Sequence, residues 1–259
     1  MYVSPKPKII YLQDLINSPE FQNTNAEIPI IFGCDTNKNI VVQDLTTIPH
    51  LLIGGKTGSG KTMFLQTVLY SLSAKLTPKQ CRFIIFDTKN YGYKNWNTDK
   101  HMFAPVITNT DQIIPMFNKI LEMIDSRYET FTAANVNNIR EYNALGNNMP
   151  MMVVIIDEFA DFMGIAPNDT TNFVQTVCAK ARATGIHLLV ATQMLTADVL
   201  SNAILACFPA RVAFNTRTTA ESVQLLGEPG AQRLLPFGDI LYADAGRYPI
   251  QIQTPYPEI

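Results

Sequence analysis

The chain has 259 residues, of which 47% are hydrophobic and 16% are charged, and its formal net charge at pH 7 is −2. This composition is typical of a globular protein with one substantial core, and the charge balance excludes a global basic field, although a local basic groove stays possible. No segment approaches the ~20 apolar residues of a membrane span, and the N-terminus shows no signal peptide, so we expect a soluble cytoplasmic protein.

Short apolar segments alternate along the chain with segments of helical periodicity. The predicted strands are 29–33, 51–54, 83–87, 105–108, 152–156, 188–192, 211–214 and 239–243, followed by a final pair near 250–253. The predicted helices are 61–75, 110–133, 170–184, 197–206 and 218–226. The C-terminal strands are expected to form a β-hairpin.

The strand segments "MMVVIID" and "HLLVAT" are apolar on both faces, which is typical of a parallel sheet covered by helices on both sides. The sequence therefore predicts an α/β fold. Because we find no internal repeat and no linker, we predict one domain over 1–259, in which 1–47 is a lead-in of strand and helix packed on the core.

The four cysteines are widely spaced, and so are the three histidines. The cysteines are Cys34, Cys81, Cys178 and Cys207, and the histidines are His50, His101 and His187. Neither set has the spacing of a metal site. We expect the cysteines to be small buried hydrophobic residues of a reducing compartment, and the histidines to be packing or turn residues.

A glycine-rich segment that fits GxxxxGK[ST] lies between a predicted strand and a predicted helix. Its residues are Gly55, Lys56, Thr57, Gly58, Ser59, Gly60, Lys61 and Thr62. The glycines let backbone N–H groups converge on phosphate oxygens, and the positive end of helix 61–75 points to the same place. We expect Lys61 to reach the β- and γ-phosphates of a nucleotide and Thr62 to ligate Mg²⁺.

The segment "MVVIIDEF" supplies an acidic pair at the end of a buried strand. Asp157 is positioned to hold the Mg²⁺ shell, and Glu158 to polarise a water for attack on the γ-phosphate. Nucleotide kinases and G proteins share the phosphate loop. The chain has no Asn-Lys-x-Asp motif for guanine, and a glutamate after the aspartate favours hydrolysis by water, so we predict an ATPase.

Two further polar positions flank the strand at 188–192. Gln193 follows its end, where a polar side chain can sense the γ-phosphate or orient the water. Lys180 and Arg182 precede it at the end of a helix that Gly185 terminates. One of these cations is positioned to reach the γ-phosphate of a neighbouring subunit, or both complement the helix dipole.

Taken together, these segments resemble the motor domain of the FtsK/SpoIIIE DNA translocases over nearly the whole chain. The matching segments are "IYLQDLINSPEFQ" (10–22), "IPHLLIGGKTGSGKT" (48–62), "FDTK" (86–89), "MIDSRYETFTAANVNNIREYN" (123–143), "VVIIDEFADFM" (153–163), "AKARATGIHLLVATQ" (179–193), "PARVAF" (209–214) and "LLGEPGAQRLLPFGDILY" (225–242).

The resemblance implies a RecA-like P-loop ATPase core, mainly a parallel sheet, that assembles into a hexameric ring and pumps double-stranded DNA with ATP and Mg²⁺. It implies that Arg182 acts as a finger on the neighbouring subunit's site and that Gln193 occupies the sensor position. Coupling ATPases of conjugation and ATPases of type VII protein secretion share this core. A membrane-bound partner is left open.

The chain departs from the family where the resemblance places DNA contacts. Met194 replaces an arginine, the helix before "CFPAR" lacks a terminal lysine, and "DTKNYGY" lacks the proline and glutamate of the family motif. Arg140, Arg217 and Arg233 are possible replacements. The alternative is a type VII-like ATPase that binds protein substrates and uses nucleotide mainly for assembly, since Met194 and the apolar segment 203–208 suit a peptide better than phosphates.

Overall fold

Nine β-strands form one mixed sheet within residues 9–244 and 247–257, the part of the chain that this computed structural model describes. The strands are β1 (Pro29–Asp35), β2 (Ile40–Asp44), β3 (His50–Gly54), β4 (Cys81–Asp87), β5 (Met151–Asp157), β6 (Ile186–Thr192), β7 (Ala210–Ala213), β8 (Asp239–Asp244) and β9 (Ile250–Gln253). Their order across the sheet is β2-β1-β9-β8-β7-β3-β6-β5-β4.

One half of the sheet is parallel and consists of β7, β3, β6, β5 and β4. These strands are almost entirely buried, because helices cover both of their faces. The α/β fold predicted from the doubly apolar segments is therefore confirmed.

The other half of the sheet is antiparallel and joins the two ends of the chain. β8 and β9 form the predicted C-terminal hairpin, and β9 also pairs with β1, which pairs with β2. The sequence prediction missed β2, whose residues are all half-buried. The predicted strand 105–108 was wrong. This segment lies beside β4 and forms a single bridge between Ile107 and Phe86, because Pro105 has no N–H to continue a ladder.

Nine α-helices are found in the described residues. They are α1 (Leu12–Ile16), α2 (Pro19–Gln22), α3 (Lys61–Lys75), α4 (Ile113–Ala133), α5 (Ile139–Ala144), α6 (Phe159–Ile165), α7 (Pro167–Thr184), α8 (Asn202–Ala206) and α9 (Thr219–Leu226). The helix predicted at 61–75 has the predicted bounds. The one predicted at 197–206 begins at Asn202, because Thr196–Leu200 is a turn and the hydroxyl of Ser201 caps α8.

Two apolar layers sandwich the parallel strands. On one face, Phe64 and Val68 of α3 pack against strand residues such as Ile53. On the other face, α4, α6 and α7 pack through a group that includes Phe117 and Phe173, whose rings stack with centroids 3.9 Å apart. Among the described residues, no helix combines the length and the apolar character needed to cross a bilayer.

Candidate nucleotide-binding site

The carboxyl ends of the parallel strands meet at one edge of the sheet and bring the predicted site residues together. Asp87 at the end of β4 is in register with Asp157 at the end of β5, which is in register with Ala191 of β6. Gly54, which precedes the glycine-rich loop, is in register with Thr192. Ligand chemistry is expected at this edge of an open α/β sheet.

The loop 55–60 adopts backbone conformations that favour glycine. Gly55, Gly58 and Gly60 all have positive φ angles, of 153°, 73° and 119°. A side chain at Gly55 would lie 2.6 Å from Cβ of Phe214, so the loop packs closely against the residue that follows β7. Gly60 is the N-cap of α3 and supplies no side-chain cap. The first N–H groups of this helix are therefore available to an anion.

Lys61 is buried in the first turn of α3. Its Nζ donates hydrogen bonds to the carbonyl oxygens of Gly55 (2.7 Å) and Lys56 (3.1 Å). Burial lowers the pKa of Lys61 to about 8, although the carboxylates of Glu158 and Asp157 act in the opposite direction. The loop therefore holds a partly desolvated ammonium group at the start of α3, in the same segment as the N–H groups predicted to bind phosphate.

Asp157 joins the strand end to the first turn of α3. Its Oδ2 accepts hydrogen bonds from the hydroxyls of Thr62 (3.0 Å) and Tyr93 (3.2 Å). Burial raises the pKa of Asp157, and the two hydroxyls oppose that effect. The donor set of one hydroxyl and one carboxylate fits Mg²⁺, which prefers oxygen ligands and takes few of them from a protein when phosphates are present.

Glu158 has a left-handed backbone with φ of 75° and is 6% exposed. Its Oε1 accepts hydrogen bonds from the Thr192 hydroxyl (3.2 Å) and from the Gln193 N–H (3.1 Å). Its Oε2 pairs with Nζ of Lys89 at 3.1 Å. A left-handed non-glycine residue is uncommon, and here it turns the carboxylate toward β6 and the cleft.

Gln193 lines the cleft, and its side-chain oxygen accepts a hydrogen bond from the Thr57 hydroxyl of the glycine-rich loop. Arg182 is not brought into this cleft. It is exposed in the last turn of α7, at the opposite end of β6. Seven strand residues separate the two ends, which is about 20 Å at ~3.3 Å per residue.

The cleft has a volume of about 900 Å³ and is lined by two chemically different groups of residues. One group is polar and comprises the glycine-rich loop and the acidic pair. The other group comprises Tyr11 from the N-terminal segment and Phe237, Pro255 and Tyr256 from the C-terminal part of the chain. The loop that carries Phe237 is joined to the glycine-rich loop by a bond from the Gly238 N–H to the Ser59 oxygen.

Sequence reasoning missed three residues of the site, namely Asp87, Lys89 and Tyr93. Asp87 follows a predicted strand, so the rule that parallel strand ends converge was a usable signal. Its carboxylate accepts hydrogen bonds from backbone N–H groups at 89, 91 and 92. Lys89 lies in the segment "FDTK" that carries part of the family resemblance, but its place in the site and that of Tyr93 were not predicted, because both reach the site through a loop.

The site has the parts of a P-loop: a strand leads into a glycine-rich loop, and a helix begins directly after it with Lys61-Thr62. This helix faces the acidic end of a neighbouring strand. The arrangement defines a P-loop nucleotide-binding α/β protein. Residues 11–197 match the model of the FtsK/SpoIIIE family, and the chain belongs to that family.

Two curated relatives are DNA translocases. The chain is 36% identical over 253 residues to DNA translocase SftA of Bacillus subtilis, and 36% identical over 251 residues to DNA translocase FtsK of Clostridium acetobutylicum. These matches cover 95% and 94% of this chain, but 27% and 33% of the relatives. The chain thus spans about a third or less of their length.

Solved structures share the fold at lower identity. The pCW3 conjugation coupling protein TcpA, in a monomer form with ATPγS, superimposes with a TM-score of 0.83 at 24% identity, over 98% of this chain and 71% of that one. The cytoplasmic domain of the type VII secretion ATPase EccC of Thermomonospora curvata gives 0.83 at 21% identity, over 96% and 32%.

Proposed function

We propose that this chain is one ATPase domain, 1–259, that works as the motor of a ring-forming translocase of double-stranded DNA. The observation that carries the proposal is the hydrogen bond between Thr62 and Asp157, because it sets the phosphate loop opposite an acidic pair. Relatives described as DNA translocases, at 36% identity over most of the chain, support the substrate.

In this function the phosphates of ATP lie along the loop 55–60 and the first turn of α3. Lys61 transfers its hydrogen bonds from the loop carbonyls to the β- and γ-phosphates. Thr62 and Asp157 would hold Mg²⁺, which supplies neutralisation of the phosphate charge when it is bound.

Hydrolysis requires a base, and Glu158 is the residue positioned for it. Its carboxylate accepts a proton from water, the water oxygen bonds to the γ-phosphorus, and the bond from that phosphorus to the β-phosphate oxygen breaks. The products are ADP and inorganic phosphate. Gln193, which is linked to the loop through Thr57, orients the water.

A ring explains the position of Arg182. The residue is exposed at the end of α7, about 20 Å from the loop of its own chain by strand length, so it serves a neighbouring site instead. Head-to-tail contacts of this kind close into rings, and we propose a hexamer. We place the ring in the cytoplasm, where its proposed substrates are found.

Exposed cations offer phosphate contacts for DNA, although fewer than the family motifs supply. Arg217 is exposed before α9 and Arg233 is exposed in a short 3-10 turn after it. Arg140 is exposed too, and both Arg140 and Arg217 form ion pairs, with Glu27 and Glu221 respectively. Contacts of this type give affinity that is independent of sequence and sensitive to salt.

The structure removes part of the support for the alternative function, a type VII-like ATPase that binds protein substrates. Met194 is 47% exposed as expected, but Ile204, Leu205 and Phe208 are buried. The expectation that 203–208 offers an apolar surface was wrong, because these side chains pack into the layer that covers α7. We therefore keep DNA as the proposed substrate.

The test is the ATPase rate as duplex DNA is titrated at about 50 and 200 mM salt, with Glu158→Gln as the blank. We expect stimulation by DNA that weakens steeply at the higher salt. A rate that exceeds the blank but does not respond to DNA at either salt concentration would contradict the DNA substrate and favour the secretion function.

A further inference from the structure

Lys89 is held beside the acidic pair by its backbone. The buried carboxylate of Asp87 accepts hydrogen bonds from the N–H groups of Lys89 (3.2 Å), Tyr91 (3.0 Å) and Gly92 (3.1 Å). The segment that follows β4 therefore wraps around one fixed carboxylate. Lys89 enters the cleft from a defined position and not from a freely moving loop.

The side chain of Lys89 engages the residue that would act as base. Its Nζ lies 3.1 Å from Oε2 of Glu158, while Oε1 accepts from the hydroxyl of Thr192 and the N–H of Gln193. Each carboxylate oxygen thus accepts a hydrogen bond from the protein itself. The lone pairs of Oε2 are shared with an ammonium group, which competes with the proton of an attacking water.

The side chains of Lys89 and Glu158 differ in solvent exposure. The side chain of Glu158 is 7% exposed, whereas that of Lys89 is 49% exposed and lines the nucleotide cleft. The ammonium group of Lys89 is close enough to Lys61 for their repulsion to contribute to the lowered pKa of Lys61. A multiply charged anion placed between the two lysines would relieve that repulsion and would attract the more exposed lysine, Lys89.

We propose that Lys89 is a positioning residue that responds to the γ-phosphate. When ATP binds, Lys89 leaves Oε2 of Glu158 for an oxygen of the terminal phosphate, and Oε2 is then free to accept the water proton. After hydrolysis and phosphate release, Lys89 returns to Glu158. The inference rests on the proposed ATPase function and adds a switch for its base.

The proposal requires that Lys89 distinguish ATP from ADP, since ADP lacks the group to which the ammonium moves. Replacing Lys89 removes a charged hydrogen bond to the γ-phosphate but leaves the contacts of the α- and β-phosphates intact. In the alanine variant Oε2 of Glu158 also loses its partner, whereas glutamine keeps a neutral donor for it and lacks only the charge. The cost should therefore fall on binding of the triphosphate and much less on the chemical step.

The experiment compares wild type with Lys89→Ala and Lys89→Gln, using Lys94→Ala as a control that removes the same charge from an exposed position in the same segment. Equilibrium affinities are measured for ADP and for a non-hydrolysable ATP analogue, and kcat and KM are measured for ATP. Thermal unfolding checks that each variant is folded, and Lys89→Gln provides a second variant that retains a hydrogen-bond donor for Glu158.

For both Lys89 variants we expect the affinity for the ATP analogue to fall about 10-fold and the affinity for ADP to change less than about twofold. The KM for ATP should rise about 10-fold, and kcat should stay within about threefold of the wild-type value. The control should match wild type. A large loss of kcat with unchanged discrimination between the analogue and ADP would overturn the inference and show a structural role. If wild type binds both nucleotides without hydrolysing ATP, the proposed function fails, and the binding comparison still decides the role of Lys89.

Discussion

The hydroxyl of Thr62 donates a 3.0 Å hydrogen bond to Oδ2 of Asp157, although 95 positions separate the two residues along the chain. This bond ties the first turn of α3 to the end of β5. The oxygen atoms that would hold Mg²⁺ are thus held next to each other by the protein itself. Such preorganisation lowers the cost of ordering the site when nucleotide binds.

Replacing Asp157 should therefore change how strongly the ATPase activity depends on Mg²⁺, and should change the folded structure much less. For Asp157→Asn we expect the Mg²⁺ concentration that gives half-maximal ATPase activity to rise at least about 10-fold, because an amide oxygen carries no charge for the metal. Thr62→Ser keeps a hydroxyl and serves as the matched control, with a value near that of wild type. An unchanged Mg²⁺ requirement in Asp157→Asn would contradict the assignment.

Nucleotide affinity should depend on pH through Lys61. Burial lowers its pKa to about 8 in the free protein, and a bound phosphate favours the charged form. Affinity for ATP should therefore be fully present below pH 8 and weaken as the pH rises through that value. Lys61→Ala should bind about 10- to 100-fold more weakly and lose this pH dependence. Calorimetric titrations between about pH 7 and 9.5 measure both effects, and a wild-type affinity that stays constant over this range would exclude the mechanism.

Subunit mixing tests the position of Arg182. Arg182→Ala should lower the ATPase rate of the assembled ring by about 10³-fold or more, the lower end of the range for arginines that act in trans. When Arg182→Ala and Glu158→Gln subunits are mixed in equal amounts, roughly one interface in four pairs an intact base with an intact arginine. We expect the mixture to recover activity that neither variant has alone. Absence of recovery, with mixed assembly verified by size, would place the arginine outside the site.

Two buried histidines should make the protein sensitive to acid. His50 and His187 are each 2% exposed, and the His50 ring accepts a hydrogen bond from the Leu188 N–H. Burial lowers the pKa of His50 to about 3 and that of His187 to about 4. A histidine in the unfolded chain has a pKa of about 6.5. Below that pH the unfolded state therefore binds more protons at these two positions than the folded state does.

The free energy of unfolding should consequently be highest above pH 6.5 and fall as the pH drops toward 4, by up to about 3 kcal/mol per histidine. Denaturant titrations at several pH values measure this slope. His187→Gln, which carries no titrating ring, should show a shallower slope than wild type. Identical slopes would indicate that other groups cause the acid sensitivity.

The local motifs of the site were predictable because each is written within one segment. The glycine-rich loop is a continuous sequence between a strand and a helix, and Asp157-Glu158 directly follows a buried strand. The doubly apolar runs also specified the parallel half of the sheet, since a strand with two apolar faces needs cover on both sides.

Features that depend on distant pairing were not predictable in the same way. β2 is half-buried with no clear alternation, and it is a strand because β1 pairs with it. The ion pair between Lys89 and Glu158 joins residues 69 positions apart, and no local pattern encodes it. Cys81 is buried as expected, whereas Cys34, Cys178 and Cys207 are half-buried, because their positions lie at the margins of the packed layers.

The most direct test of the proposed motor is displacement of a third strand from duplex DNA. The chain is incubated with ATP and a duplex that carries a triplex-forming oligonucleotide, and release of the oligonucleotide is followed over time, with Glu158→Gln and with ADP as controls. We predict release by the wild-type chain with ATP and background release in both controls. If the wild type hydrolyses ATP yet releases the oligonucleotide at the rate of Glu158→Gln, the chain does not translocate DNA.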